Sequence, residues 1–245
     1  MKRLVHAELI RARASRTVRV LAALAPVTCV LWAGLGVALM GLEGGMPAED
    51  RVRNVYAMAQ QAYVFTLLLG ILGTAGEFRH QTITWRFLLT PDRGRVVNAK
   101  LAAYGIAGLA VGAVSALATV AAGALLLHLG GHPVMAPGVP GVLLGAVLSV
   151  TGYGLLGVGL GALIRNQTAA VAVALIWFMY ADYLLTMLLP GLGRWLPTGA
   201  ARALAGVSME NAELLPAWAG GPLFAAYVLA AVLAARLITL RRDIT

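Results

Sequence analysis

The stretch LAAYGIAGLAVGAVSALATVAAGALLL, residues 101–127, carries no charged side chain. A bilayer's hydrocarbon core is about 30 Å thick and takes about 20 apolar helical residues to cross. This run is long enough, and in lipid a helix satisfies its backbone internally. Working outward, five further runs of this kind occur, at 20–42, 57–75, 139–164, 168–189 and 217–238. The reading is an all-α membrane protein of six transmembrane helices. The second run is the weakest, because Gln60 and Gln61 stand at its start. Gly220, Gly221 and Pro222 predict an irregular beginning for the sixth.

Composition agrees. Only 12% of the residues are charged and the mean hydropathy is +0.83, whereas soluble domains carry about 25% charged residues. The net charge of +9 does not indicate nucleic acid, because the cations collect at the ends of apolar runs. Of the 19 Lys and Arg, only Arg51, Arg53, Arg194 and Arg202 fall on one side of the six-span layout. The positive-inside rule puts the other side, with both termini, in the cytoplasm. Lys is confined to Lys2 and Lys100, and with the wealth of Ala, Gly and Val this suggests a GC-rich bacterial genome. The expected location is therefore a bacterial inner membrane. Cys29 is the only cysteine, so no intrachain disulfide can form.

Residues 1–245 read as one transmembrane domain. Residues 1–19 are expected to form an amphipathic helix with Val5, Leu9, Ala12 and Arg16 on one stripe. The plainer alternative is a basic flank that sets topology and precedes a retained first span. Residues 190–216 form the longest segment on the far side. Trp195 and Trp218 favour short interfacial helices there.

The polar segment at 77–95 interrupts the second and third runs. As a helix it would put Phe78, Trp85 and Leu89 on one face, with Arg79 and Arg86 beside them. Pro91 would end it. It is either a connector lying in the interface or a coupling helix that docks on a soluble partner, and apolar anchors with Arg suit docking.

The run Glu77-Phe78-Arg79-His80-Gln81-Thr82-Ile83, followed by Leu88-Leu89-Thr90-Pro91, Arg93 and Lys100, resembles the membrane subunit of type-2 ABC exporters. Gln81 stands where that pattern has Gly. The length and six-span layout also fit the family. The resemblance implies a coupling role for Glu77, Phe78, Arg79, Thr82, Trp85, Arg86 and Leu89. It implies two copies of a separate ATPase that binds ATP and Mg, and a second permease subunit, identical or related. It also implies outward movement of a hydrophobic or amphiphilic molecule such as an antibiotic, peptide or lipid. The chain itself has no Gly-x-x-x-x-Gly-Lys-Ser/Thr phosphate loop. No nucleotide, other cofactor or metal is expected on it, and no nucleic-acid partner. The rival reading is a membrane anchor or scaffold of an envelope or signalling complex.

Asp182 is the one acidic residue deep in a span, about 14 residues or roughly 21 Å from the near edge of the fifth. An intramembrane carboxylate is costly and should face the protein interior. It either meets a cationic substrate or bonds locally to Tyr or backbone. An unbroken α-helix would put Met179 and Thr186 on its face, as a candidate substrate path, and turn Tyr183 elsewhere. The pairs Gly108/Gly112, Gly141/Gly145 and Gly157/Gly161 have Gly-x-x-x-Gly spacing, which permits close helix approach. They serve packing within the chain or a dimer seam. An intramembrane enzyme is not expected. There is no His-Glu-x-x-His, no second intramembrane Asp to pair with Asp182, and His128 and His132 are separated by a Gly130-Gly131 break.

Overall fold

A computed structural model describes residues 1–40, 46–79, 93–164, 166–208 and 214–241. These residues are helical with no strand among them. Six helical stretches are long and apolar enough to cross a membrane, the number expected. In chain order they are Arg16–Leu39, Ala48–Gly76, Gly94–Leu129, Val139–Leu163, Gln167–Leu188 and Ala217–Leu237, called here the first to sixth spans. The end of the bundle beside the N-terminal helix is the near end, and the opposite one the far end.

The N-terminal helix is Lys2–Ala14 and stops short of residue 19. Ser15 is extended (φ −70°, ψ 125°), and its hydroxyl accepts the Val18 N–H at 3.5 Å to start the first span. Serine suits this position because its side chain satisfies a first-turn donor. Val5, Leu9 and Ala12 are half-buried, and Arg16 is exposed. The most buried residue of this helix is Glu8.

The second and fourth spans form the centre. In each, 61% of the most apolar window is buried, against 17–28% in the other four. Glycine allows this. A Cβ on Gly157 would strike the Leu67 carbonyl, and one on Gly70 the Gly154 carbonyl. Gly161 faces Ile71, while Gly108 and Gly112 of the third span lie against Thr151 and Val147 of the fourth. Gly145 meets Leu204. Five of the six spaced glycines therefore serve packing inside the chain. Gly141 does not, having nothing within 4 Å of its would-be Cβ.

The second span begins well before residue 57. It is an α-helix over Ala48–Ala57, a 3₁₀ turn over Met58–Ala62, and an α-helix again over Tyr63–Arg79. Charged residues disguised its first turns. Arg51 donates to the Met40 carbonyl at 3.0 Å, Arg53 pairs with Asp50, and Asn54 exchanges two hydrogen bonds with the backbone of Ser208, each 2.9 Å. The third helix, Arg93–Leu129, is also longer than 101–127. At 37 residues it measures about 55 Å, well beyond the hydrocarbon thickness.

At the far end lie two short helices, Pro190–Gly193 and Pro197–Leu204. The second is not a surface element. Thr198, Gly199, Ala200, Ala201 and Ala203 are buried. The sixth span starts regularly at Ala217, contrary to expectation. Gly220 there lets Ala200 and Ala203 approach closely. Trp195 and Trp218 are exposed, 49% and 79%, as interfacial side chains should be.

Candidate functional site

Two regions hold polar groups that a helical bundle does not need for packing. At the near end the second helix runs to Arg79 and the third begins at Arg93. Glu77, Phe78 and Arg79 thus close one helix, with only their backbone described. Thr82, Trp85, Arg86 and Leu89 lie outside the described residues. Just inside, Lys100 is 4% exposed, and its ammonium donates to the Gly73 carbonyl at 2.7 Å. This charge-assisted bond joins the second and third helices below the polar segment. Beside it a cavity of about 430 Å³ opens under the N-terminal helix. Glu8, Arg11, Ser15, Gly76, Tyr104 and Gln167 line it. Glu8 and Arg11 are 4.0 Å apart, one helical turn from each other.

The far-end region centres on the fifth span, which is not one α-helix. Gln167–Leu175 is α, Ile176–Ala181 is π, and Asp182–Leu188 is α again. The Asp182 N–H bonds to the Trp177 carbonyl five residues back, the mark of a π turn. Tyr63, at the 3₁₀-to-α junction of the second span, donates its hydroxyl to the Phe178 carbonyl at 3.3 Å. Two irregular helices thus meet at one level. Tyr153 of the fourth span packs between them. Its ring lies 4.6 Å from Tyr63, 5.5 Å from Phe178 and 5.0 Å from Phe224.

Asp182 is fully buried, as an intramembrane carboxylate should be. Its Oδ2 accepts the N–H of Thr198 at 2.9 Å. Thr198 is in the first turn of Pro197–Leu204, where backbone donors lack helical partners and an anion is favoured. The helix has no side-chain cap of its own, so the carboxylate supplies an acceptor from a distance. The bond seen is a local one, to backbone. No described group bonds its Oδ1.

Thr186 is buried and donates to the Asp182 carbonyl at 2.8 Å, so it keeps company with Asp182. Met179 does not. It is 42% exposed while Asp182 is 0%, because the π turn changes the rotation between positions 179 and 182. The three-residue face expected of an unbroken helix is not formed.

A cavity of about 170 Å³ sits beside this cluster, lined by Met58, Gln60, Gln61, Tyr63, Tyr153, Thr198 and Arg202 among others. Gln60 donates to the Ser149 hydroxyl at 2.9 Å. The sequence marks Gln60 and Gln61 only as a weakness in a span and Arg202 only as a far-side cation, and gives no sign of Tyr63 or Tyr153. The two glutamines were the available signal, since polar side chains at that depth need partners or a wet cavity. Among the described residues no three His, Cys, Asp or Glu gather as a metal site would require. No protein-family model matches this chain, and no curated protein matches it.

Proposed function

We propose that this chain is the membrane-spanning permease subunit of an ATP-driven, type-2 ABC exporter. The observation that carries the reading is the pair of helical arms around the polar segment. The second helix reaches Arg79, and the third, about 55 Å long, starts at Arg93. A polar segment held by such arms, cross-linked at Lys100–Gly73, can pass a push from a soluble partner into the bundle. In this reading the near end is cytoplasmic, as the cation distribution favours. Two ATPase copies supply ATP and Mg chemistry. The exposed apolar faces of the first and fifth spans, including Leu31, Ile176 and Tyr180, meet lipid or a second permease. The transported molecule is hydrophobic or amphiphilic.

The test is co-purification from the native membrane, followed by reconstitution in vesicles. A phosphate-loop ATPase should accompany the chain, and ATP should drive efflux. Glu77→Lys and Phe78→Ala should each weaken that association by about 30-fold, equivalent to about 2 kcal/mol for a buried anchor. Wild-type association and stimulated hydrolysis in both variants would remove the coupling role. A complex that assembles but moves nothing would be the scaffold instead.

A further inference from the structure

We propose that the fifth span is a two-state element. Its far half turns between the π form seen here and a fully α form, and Tyr63 and Thr198 hold the π form. One carbonyl, that of Phe178, sits between the two forms. In an α-helix the Asp182 N–H would bond Phe178 O, four residues back. Here it reaches Trp177 O instead, and Phe178 O accepts the Tyr63 hydroxyl. The Tyr63 hydroxyl thus occupies the carbonyl that the α form would offer to the Asp182 amide, and although a carbonyl oxygen can accept two bonds, the pairing seen here belongs to the π form.

The second fastener lies one residue beyond the π turn. Asp182 Oδ2 holds the Thr198 N–H at 2.9 Å. A π turn accommodates about one residue more than an α turn. Converting it to α rotates the far half by about 100° and shifts it by about 1.5 Å. That rotation carries the Asp182 carboxylate off Thr198, so the two fasteners release together. It also restores the α-helical phase in which Met179, Asp182 and Thr186 share one face. Sequence periodicity thus describes the second state, and the structure the first.

The surroundings permit the turn. The far half presents Leu184, Met187 and Leu188 outward, each more than half exposed, so its outer face is free to turn, while on its inner face Thr186 lies against Gly193 of the short helix Pro190–Gly193 and must slide past it. On the inner side lies the cavity of about 170 Å³ bordered by Tyr63, Thr198 and Arg202. A rotated Asp182 would leave the N-terminus of Pro197–Leu204 open toward it. The opposite side of the cavity is the 3₁₀ turn Met58–Ala62, the other irregular segment at this level.

The experiment needs neither substrate nor ATPase, so its outcome is separate from the transport reading. Spin labels go on Leu184→Cys and Leu144→Cys, both exposed side chains, in a Cys29→Ala background. The protein is placed in lipid nanodiscs and diluted with unlabelled chains, and label separations are measured by pulsed dipolar spectroscopy. The π form should give the main distance. Tyr63→Phe removes only the competing hydroxyl, and Asp182→Ala only the second fastener. Each should raise a second distance, displaced by several ångströms, several-fold in population. Deleting Met179 takes out the extra residue of the π turn and leaves both flanks in phase. That variant should keep the wild-type distance alone and make Tyr63→Phe silent. Either single variant decides the matter if the other fails to assemble. A single unshifted distance in an assembled Tyr63→Phe or Asp182→Ala protein overturns the proposal, as does a second distance that survives the Met179 deletion.

Discussion

Where the second span meets the fourth, backbones touch through Gly70, Gly157 and Gly161. Where the π turn and the far half of the fifth span meet the bundle, they are held by the Asp182–Thr198 bond, the Tyr63–Phe178 bond, an aromatic edge and the contact of Thr186 with Gly193. The buried share of the apolar window falls from 61% to 24% between these regions. Close packing gains many small dispersion contacts and resists deformation. A few directed bonds hold one geometry and can be exchanged for others. The same chain therefore contains a rigid pair and a span built to change its state. Mutations in the two regions should therefore differ in effect.

The largest effect is expected in the rigid pair. Gly157→Leu would drive a side chain into the Leu67 backbone. Overpacking of this sort costs about 1–3 kcal/mol when neighbours can move, and a helix backbone moves least. The expected result is loss of the monodisperse, folded protein on size exclusion. Gly141→Ala is the control from the same kind of sequence pair. With open space around it, it should be neutral or stabilise by up to about 1 kcal/mol through helix propensity. Equal tolerance of both changes would show that the second and fourth spans are not packed backbone to backbone.

This pair also shows what sequence could and could not tell. Six spans were legible because length and apolarity are properties of each run alone. The glycine spacing was legible too, but spacing does not say which glycine faces a neighbour, and Gly141 turned out not to. The irregular turns were hidden for a related reason. The π turn at Ile176–Ala181 is tied to Tyr63, 115 residues away from Phe178 in sequence. The buried placement of Pro197–Leu204 rests on Asp182 and Gly145. Such partners come together only after the bundle forms. Arg51, Arg53 and Asn54 misled in the other direction, reading as loop while Arg51 and Asn54 bond distant backbone and Arg53 pairs with Asp50 one turn away.

A smaller effect is expected at the clamp between the arms. Lys100→Met keeps the aliphatic stem and removes the donor to Gly73. Hydrogen bonds made by charged groups contribute about 1.5–3 kcal/mol. Thermal unfolding in nanodiscs should therefore register a loss of about 2 kcal/mol. The complex with an ATPase should also show weaker coupling of hydrolysis to efflux, because the arms would no longer move as one. A Lys100→Met protein with unchanged stability and coupling would make the arms independent, and would weaken the case for mechanical transmission.

The smallest effect separates the two roles open to Asp182. Its carboxylate accepts one backbone N–H from Thr198, and an amide oxygen can do the same. Asp182→Asn should then cost about 1 kcal/mol or less, the difference between a charged and a neutral acceptor. Asp182→Ala leaves the first turn of Pro197–Leu204 without that acceptor and should cost about 1–3 kcal/mol. The order of thermal stabilities should be wild type, Asn, then Ala, with wild type and Asn close together. Transport gives the independent reading. If the carboxylate serves as a fastener, Asp182→Asn moves cationic and neutral substrates alike. If it meets a cation, Asp182→Asn loses the cationic substrate alone while its stability stays near wild type. That outcome would turn Asp182 from a fastener of the mobile span into a contact for cargo, because stability and selectivity would then respond to different atoms of the same side chain.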